Sequence, residues 1–191
     1  MEMSAVDAGA RFAYERPVGA FDAGTHAADT TFGGAAFALD ATGRLSSMFS
    51  IGGLLLWAPT VPTLCDSFDN CKSSVGSDVE IDALARFRAP RWRFVEPDFE
   101  IGFGWSWSSR SLADDEATST RRWNGPVLVR VAVIPTLRLG ERTRLGFVLG
   151  GSLARSASYE LEAPGVSRHG IEGARLHGTL DFGLRFGLDL W

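Results

Sequence analysis

The sequence contains no long apolar run. Although 45% of its 191 residues are hydrophobic, no stretch approaches the roughly 18 consecutive apolar residues that a membrane-spanning helix requires. Basic tracts are also missing and the formal net charge is −4, which argues against a nucleic-acid partner. Lysine is nearly absent, since Lys72 is the only one and all the other basic side chains apart from histidine are arginines. This length predicts one domain.

Cysteine is scarce as well, with Cys65 and Cys71 as the only two. Their short spacing in a polar segment predicts a disulfide formed in an oxidising compartment. Metal-ligand spacings, phosphate-binding loops and nucleophile elbows are absent from the sequence. We therefore expect neither a metal nor a cofactor.

Apolar residues alternate with polar or small residues through much of the sequence, most clearly from Arg175 to Trp191. Successive side chains of a strand point to opposite faces, so this segment has one hydrocarbon face and one face with ionisable groups. It is much longer than an ordinary strand of about 5–6 residues. It suits a strand with lipid on one side and an ion-paired interior on the other. The apolar positions are Leu176, Leu180, Phe182, Leu184, Phe186, Leu188 and Leu190.

Seven earlier segments alternate in the same way, so the sequence predicts eight strands. Their connections are alternately short and long, which places all short turns at one end of an up-and-down barrel. The predicted strands are Arg11–Val18, Phe32–Leu39, Leu45–Trp57, Val79–Arg88, Asp98–Arg110, Val127–Leu139, Thr143–Tyr159 and Arg175–Trp191. The predicted short turns are Asp40–Arg44, Ala89–Arg93 and Gly140–Arg142. The predicted long loops are Gly19–Thr30, Ala58–Asp78, Ser111–Gly125 and Glu160–Ala174.

The apolar face is predicted to point outward. The other face is rich in Gly, Ser and Ala, as a narrow lumen requires, and tryptophans bracket the apolar band at both ends like the aromatic belts of membrane proteins. A soluble lipocalin-like barrel, with its apolar face around a ligand, is the alternative. The residues of the predicted belts are Trp57, Trp92, Trp105, Trp107, Trp123 and Trp191.

The inward face carries acids and bases in similar numbers. Eight strands leave a lumen that side chains fill, and unpaired buried ions are costly. We therefore predict an arginine–carboxylate network that plugs the barrel, with a narrow pore as the alternative. The predicted network comprises Glu80, Asp82, Arg86, Arg88, Asp98, Glu100, Arg130, Arg138, Arg144, Arg175, His177, Asp181, Arg185 and Asp189.

With these features the chain resembles the small outer-membrane barrels of the OmpA transmembrane-domain and OmpX type, over residues 11–191. The resemblance implies a monomer in the Gram-negative outer membrane, surrounded by lipid and lipopolysaccharide and inserted by the barrel-assembly machinery. It implies a non-enzymatic role in envelope integrity or surface interaction through the long loops. The aromatic end of the family's assembly signal is matched by Trp191, which is out of phase with Leu190.

Residues 1–10 lack the basic and apolar regions of a secretory signal. We expect a flexible periplasmic N-terminus there, with the barrel over residues 11–191. This chain is thus expected to carry no signal peptide of its own.

Some barrels of this kind act on lipid A, which gives an enzymatic alternative. The lipid A palmitoyltransferase has a loop histidine with an Asp-Ser pair on the next loop, and this chain has His26 and then Asp66-Ser67 in the corresponding loops. Histidine as base, serine as acyl acceptor and aspartate as orienting group make sensible chemistry. A deacylase-like His-x-Ser arrangement has only a loose counterpart in His177-Gly-Thr179.

Overall fold

A computed structural model describes residues 6–22, 25–26, 34–60, 63–65, 71–113, 118–163, 165–169 and 176–190. Regular structure within these ranges is entirely β. Among the same residues, no helix is both long and apolar enough to cross a membrane. The eight long strands are β1 (Val6–Asp22), β3 (Gly34–Arg44), β4 (Phe49–Thr60), β6 (Cys71–Arg88), β7 (Val95–Ala113), β8 (Thr118–Arg138), β9 (Thr143–Arg155) and β12 (Leu176–Leu190).

The eight long strands close into an antiparallel barrel. Around the ring the order is β1–β3–β4–β6–β7–β8–β9–β12, and β12 returns to pair with β1, so that Val6 lies opposite Leu190. Closure leaves no long strand with an unpaired edge, which is what an apolar solvent requires of a sheet. The predicted fold class, an all-β eight-stranded up-and-down barrel, is confirmed.

Four short strands extend the barrel at the end opposite the short turns. Two lie beside neighbouring long strands, and two form a hairpin that continues the sheet from β8. They are β2 (Thr25–His26) on β1, β5 (Thr63–Cys65) on β6, β10 (Ser158–Ala163) on β8 and β11 (Val166–His169) on β10. We call this the loop end, and the other the turn end.

Several predicted boundaries differ from the structure because strands continue where the apolar alternation stops. Asp40–Arg44 is not a turn but the end of β3, and the chain reverses at residues 45–48 instead. Most of Ser111–Gly125 is strand, since β7 continues to Ala113 and β8 begins at Thr118. Apolar and polar residues do not alternate in this segment, so the sequence carries no strand signal there.

The first strand begins at Val6 rather than at Arg11. Residues 6–10 are therefore part of the barrel. The prediction that they belong to a flexible N-terminal segment is wrong for these five residues. Their backbone is paired on both sides, with Ala8 opposite Leu188 of β12 and opposite Ala41 of β3. The apolar side chains at this end of β1 are small, which weakens the sequence signal.

The outer face of the barrel is a band of exposed aliphatic and aromatic side chains. The last strand shows it most clearly, because every large apolar residue from Leu176 to Leu190 points outward. Trp57, Trp105 and Trp107 lie on this face towards the loop end, and Trp92 is exposed beside a short turn. Trp191 lies outside the described residues.

A β-bulge reverses the faces of β8 and places Trp123 inside the barrel, contrary to the predicted belt. Val127 pairs with Ala154 of β9 whereas Val129 pairs with Leu153, so β8 carries one extra residue at this point. An added residue shifts the side-chain alternation by one. Trp123 is consequently only 4% exposed and packs on Tyr159, while Val127 is buried rather than outward.

Candidate functional site in the lumen

The interior of the barrel holds two separate groups of charged side chains. Each group is assembled from several strands, since every second residue of a strand points inward. The turn-side cluster consists of Asp7, Arg11, Asp40, Arg86, Arg88, Asp98, Glu100, Arg144, Arg185 and Asp189. The loop-side cluster consists of Glu15, Glu80, Asp82, Arg130 and Asp181.

Arg86 lies at the centre of the turn-side cluster and contacts three carboxylates. It donates from Nε to Glu100 Oε1 at 2.7 Å, from Nη1 to Asp7 Oδ1 at 3.0 Å and from Nη2 to Asp40 Oδ1 at 2.6 Å. Thr42 accepts a further bond at 3.3 Å. The guanidinium fork therefore connects three different strands.

Arg11 and Arg185 hold the same carboxylates from the other side. Arg11 donates from Nε to Asp40 Oδ2 at 2.8 Å and forms a two-bond pair with Glu100 at 2.8 and 2.9 Å. Arg185 donates from Nε to Asp40 Oδ2 at 3.0 Å and also contacts Asp7. Asp40 thus accepts from three arginines, and its side chain is fully buried.

The turn-side cluster continues to the rim through two further pairs. Arg88 binds Asp98 through two bonds at 2.8 and 3.2 Å, and Arg144 donates from Nη2 to Asp189. The five arginines and five carboxylates of the cluster balance each other, and Arg44 adds one partly exposed cation at its edge, 3.5 Å from Asp189. Neutrality and dense hydrogen bonding are what allow ions to be buried at tolerable cost.

The loop-side cluster is built around one cation, Arg130. Its Nε donates to Glu80 Oε1 at 2.7 Å and to Asp82 Oδ2 at 2.8 Å, and its Nη1 donates to Asp181 Oδ2 at 2.6 Å. Glu15 lies directly opposite Asp181 in the pairing of β1 with β12. One arginine is therefore surrounded by four acids.

A cavity lies between the loop-side cluster and the loop end of the lumen, and we call it the loop-side cavity. Its volume is about 60 Å³, and it opens towards solvent. Acids, hydroxyls and apolar side chains share its wall. The polar residues that line it are Glu15, Asp78, Glu80, Ser106, Ser108, Ser152, His177 and Thr179.

One wall of the lumen is apolar. Inward alanines and leucines of β1, β3, β4 and β6 pack together between the two charged clusters and along the cavity. Leu54 and Leu56 have the opposite parity to outward Leu55 and Trp57 on β4. The members are Ala13, Ala36, Ala38, Leu54, Leu56, Ala58 and Leu84.

Most residues of the predicted network lie in the lumen, but Arg138 does not. Its side chain is 43% exposed at the turn end, and its Nε is 3.8 Å from Glu96 Oε1. The parity of Arg138 is correct, but the residue is the last of β8 and projects beyond the packed interior. His177 lines the loop-side cavity, and Arg175 lies outside the described residues.

Four members of the clusters were missed by the sequence prediction. Asp40 lies in a segment that the sequence predicts as a turn, and Asp7 in one that it predicts as a flexible terminus. Arg11 and Glu15 share their inward face, and the run Asp7, Gly9, Arg11, Ala13, Glu15 against outward Phe12 and Tyr14 is a usable signal. It was weak because Ala8 and Ala10 are small.

The enzymatic alternative rests on residues that the structure leaves largely undescribed. His26 belongs to β2, where its backbone pairs with Ala20. Asp66 and Ser67 lie outside the described residues. The acyltransferase hypothesis therefore stays a prediction. In the deacylase-like segment, His177 and Thr179 line the loop-side cavity, and Thr179 is hydrogen-bonded to Ser152 at 3.1 Å.

The two cysteines of the predicted disulfide are directly opposite each other in the backbone register. Cys65 of β5 is paired with Cys71 of β6, and residues directly opposite in an antiparallel pair have Cα atoms at about 4.5–5.5 Å, within the range of disulfides. Their side chains lie outside what the structure describes, so the bridge stays a prediction.

The chain resembles known proteins in structure and not in sequence. No family model and no curated protein sequence matches the chain. A major outer membrane protein from Thermus thermophilus superposes with a TM-score of 0.60 at 13% identity, covering 93% of this chain and 98% of that one. The chain has the fold of the small outer-membrane β-barrels.

Two further solved structures share this fold. Ail, the attachment invasion locus protein of Yersinia pestis, has a TM-score of 0.56 at 10% identity, with 96% of this chain and 98% of Ail covered. The outer membrane protein OprG from Pseudomonas aeruginosa has a TM-score of 0.58 at 9% identity, with 96% and 95% covered. At such identities the likeness concerns the barrel and not any activity.

Proposed function

We propose that this chain is an integral, non-enzymatic protein of the bacterial outer membrane, acting at the cell surface through its loop-end hairpins. One observation carries the proposal. The barrel has apolar side chains outside and buried ions inside, which is the arrangement required when lipid is the outer solvent and the interior is closed. A soluble lipocalin-like barrel has the opposite arrangement, with its apolar side chains inside.

The turn-side cluster supports a plugged lumen rather than a pore. Arg11 of β1 and Glu100 of β7 lie four strands apart in a ring of eight, so their two hydrogen bonds cross the lumen. A selective pore favours one sign of charge, whereas this cluster is balanced. Solutes would have to break several charge-assisted bonds to pass.

With the lumen closed, the loop-end hairpins are the part of the molecule left to meet partners. β10 and β11 extend beyond the barrel as a hairpin on β8. Arg122 of β8 is half exposed there and lies 3.4 Å from Glu160 and 3.5 Å from Glu162. Lipopolysaccharide phosphates and surface ligands are suitable partners for such a hairpin, in envelope integrity or surface interaction.

Two measurements test this proposal. The purified barrel should require detergent or lipid to remain monodisperse, and monodisperse protein in plain buffer would refute the membrane assignment. In planar bilayers, the wild-type protein should add no ionic conductance above that of the bare membrane. Stepwise conductance from the wild-type protein would refute the plug and favour a narrow pore.

A further inference from the structure

The loop-side cluster has a formal excess of negative charge that no described residue of the cluster balances. Four carboxylates surround the single guanidinium of Arg130, a formal excess of three negative charges. The nearby pair Asp78 and Arg110, at 2.6 Å, is balanced by itself. The turn-side cluster, only a few residues away along the same strands, is neutral.

Glu15 is the acid of the loop-side cluster that forms no ion pair with Arg130 among the described residues. It is only 6% exposed, and its Oε1 atom has no hydrogen-bond partner. Its neighbour on β12 is Asp181, a like charge directly opposite, which destabilises a strand pair. On β3 its neighbour is Gly34, which has no side chain. A buried acceptor in this situation is costly unless a donor reaches it.

Glu15 borders the loop-side cavity, whose polar wall offers acceptors. Glu80 and Asp78 also line it, together with the hydroxyls of Ser106, Ser108, Ser152 and Thr179, and no arginine or lysine is among the lining residues that the structure describes. Leu56, Ala58 and Val79 add an apolar strip to the same wall. The cavity therefore complements a group with positive charge, several donors and a short hydrocarbon chain.

We propose that the loop-side cavity binds the ammonium group of a small alkylamine, with Glu15 as its main acceptor. An ammonium group has three donors and no acceptor, which matches a wall of acids and hydroxyls in which His177 is the one basic side chain among the described lining residues. Its methylene groups would lie along Leu56 and Ala58. A directly coordinated metal ion is less suited, because no three His, Cys, Asp or Glu residues in the described ranges are arranged to hold one.

The test is calorimetric titration of the full chain in lipid nanodiscs at pH 7 with butylamine, using 1-butanol as the neutral analogue. We expect saturable one-site binding of butylamine and none of butanol. Glu15→Gln should raise the Kd by about tenfold or more, since one charge-assisted bond is lost. Glu162→Gln, which removes an exposed acid of the β10 hairpin, should leave the Kd unchanged.

The folding of the variant is checked by its unfolding midpoint in the same lipid. Glu15→Gln should be at least as stable as the wild type without amine, because the repulsion from Asp181 is removed, and butylamine should raise the midpoint of the wild type only. Absence of binding to the wild type would mean that protons neutralise the cluster, and would overturn the proposal. Equal binding to both proteins would overturn the role of Glu15.

Discussion

Arg11 and Glu100 form a two-bond ion pair across the barrel, with both N···O distances below 3 Å. The two residues are 89 positions apart in sequence and sit on opposite walls of the lumen. The pair is buried, and each partner also contacts a second charged residue, Asp40 or Arg86. It is one of the contacts that join the first four long strands of the ring to the last four.

Glu100→Gln is therefore expected to destabilise the barrel strongly. Removing one partner of a buried ion pair leaves uncompensated charge, on Arg11 and Arg86 here, at a cost of about 3 kcal/mol. The measurement is the free energy of unfolding by urea in lipid vesicles. Glu96→Gln is the matched control, because its pair with half-exposed Arg138 is long, and it should cost less than about 1 kcal/mol. Equal effects would contradict the plug.

Leu184→Arg tests the outward assignment of the apolar face. Leu184 is 50% exposed and lies near the middle of β12. An arginine facing lipid near the midplane is expected to cost about 2–4 kcal/mol of folding stability in bilayers. Leu45→Arg, in the reversal at residues 45–48, is the control and should cost about 0–1 kcal/mol, as near an interface. An unchanged midpoint for Leu184→Arg would mean that this face does not meet lipid.

The parts of the fold that follow a period of two could be predicted from the sequence. Lipid on one side and a packed interior on the other force apolar and small or charged residues to alternate, as in β12. The β8 bulge could not be predicted from the sequence. One added residue exchanges the inward and outward positions in the part of β8 that precedes it, and it does so without changing the composition. Trp123 was consequently assigned to the wrong side. The polar ends of β7 and β8 also carry no alternation.

Part of the candidate site was predictable for the same reason. The inward parity of Arg86, Glu100, Arg130 and Asp181 is visible in the sequence, but their partners are not. Which arginine meets which acid depends on the stagger of strands around the ring, which composition does not reveal. The separation into a neutral cluster and an acidic one therefore required the structure.

Gly104→Ala tests how tightly β6 and β7 approach each other. A Cβ atom at Gly104 would lie 2.0 Å from the carbonyl oxygen of Ile81 and 2.2 Å from Asp82 Oδ1. Because backbone must shift to make room, the change should cost about 1–3 kcal/mol and displace Asp82 from Arg130. Gly140→Ala is the control, since nothing lies within 4 Å of its added carbon. Comparison of the two unfolding midpoints in lipid checks the prediction.

The register of β5 against β6 makes the predicted bridge between Cys65 and Cys71 testable by chemistry. If the protein is folded in an oxidising compartment, neither thiol should react with a maleimide in denaturant until a reductant is added, and mass spectrometry should then show two adducts. Replacing both cysteines by serine should lower the free energy of unfolding by about 2 kcal/mol, because the short closed loop no longer restricts the unfolded chain. Two adducts without reductant would mean that the opposed cysteines stay as thiols.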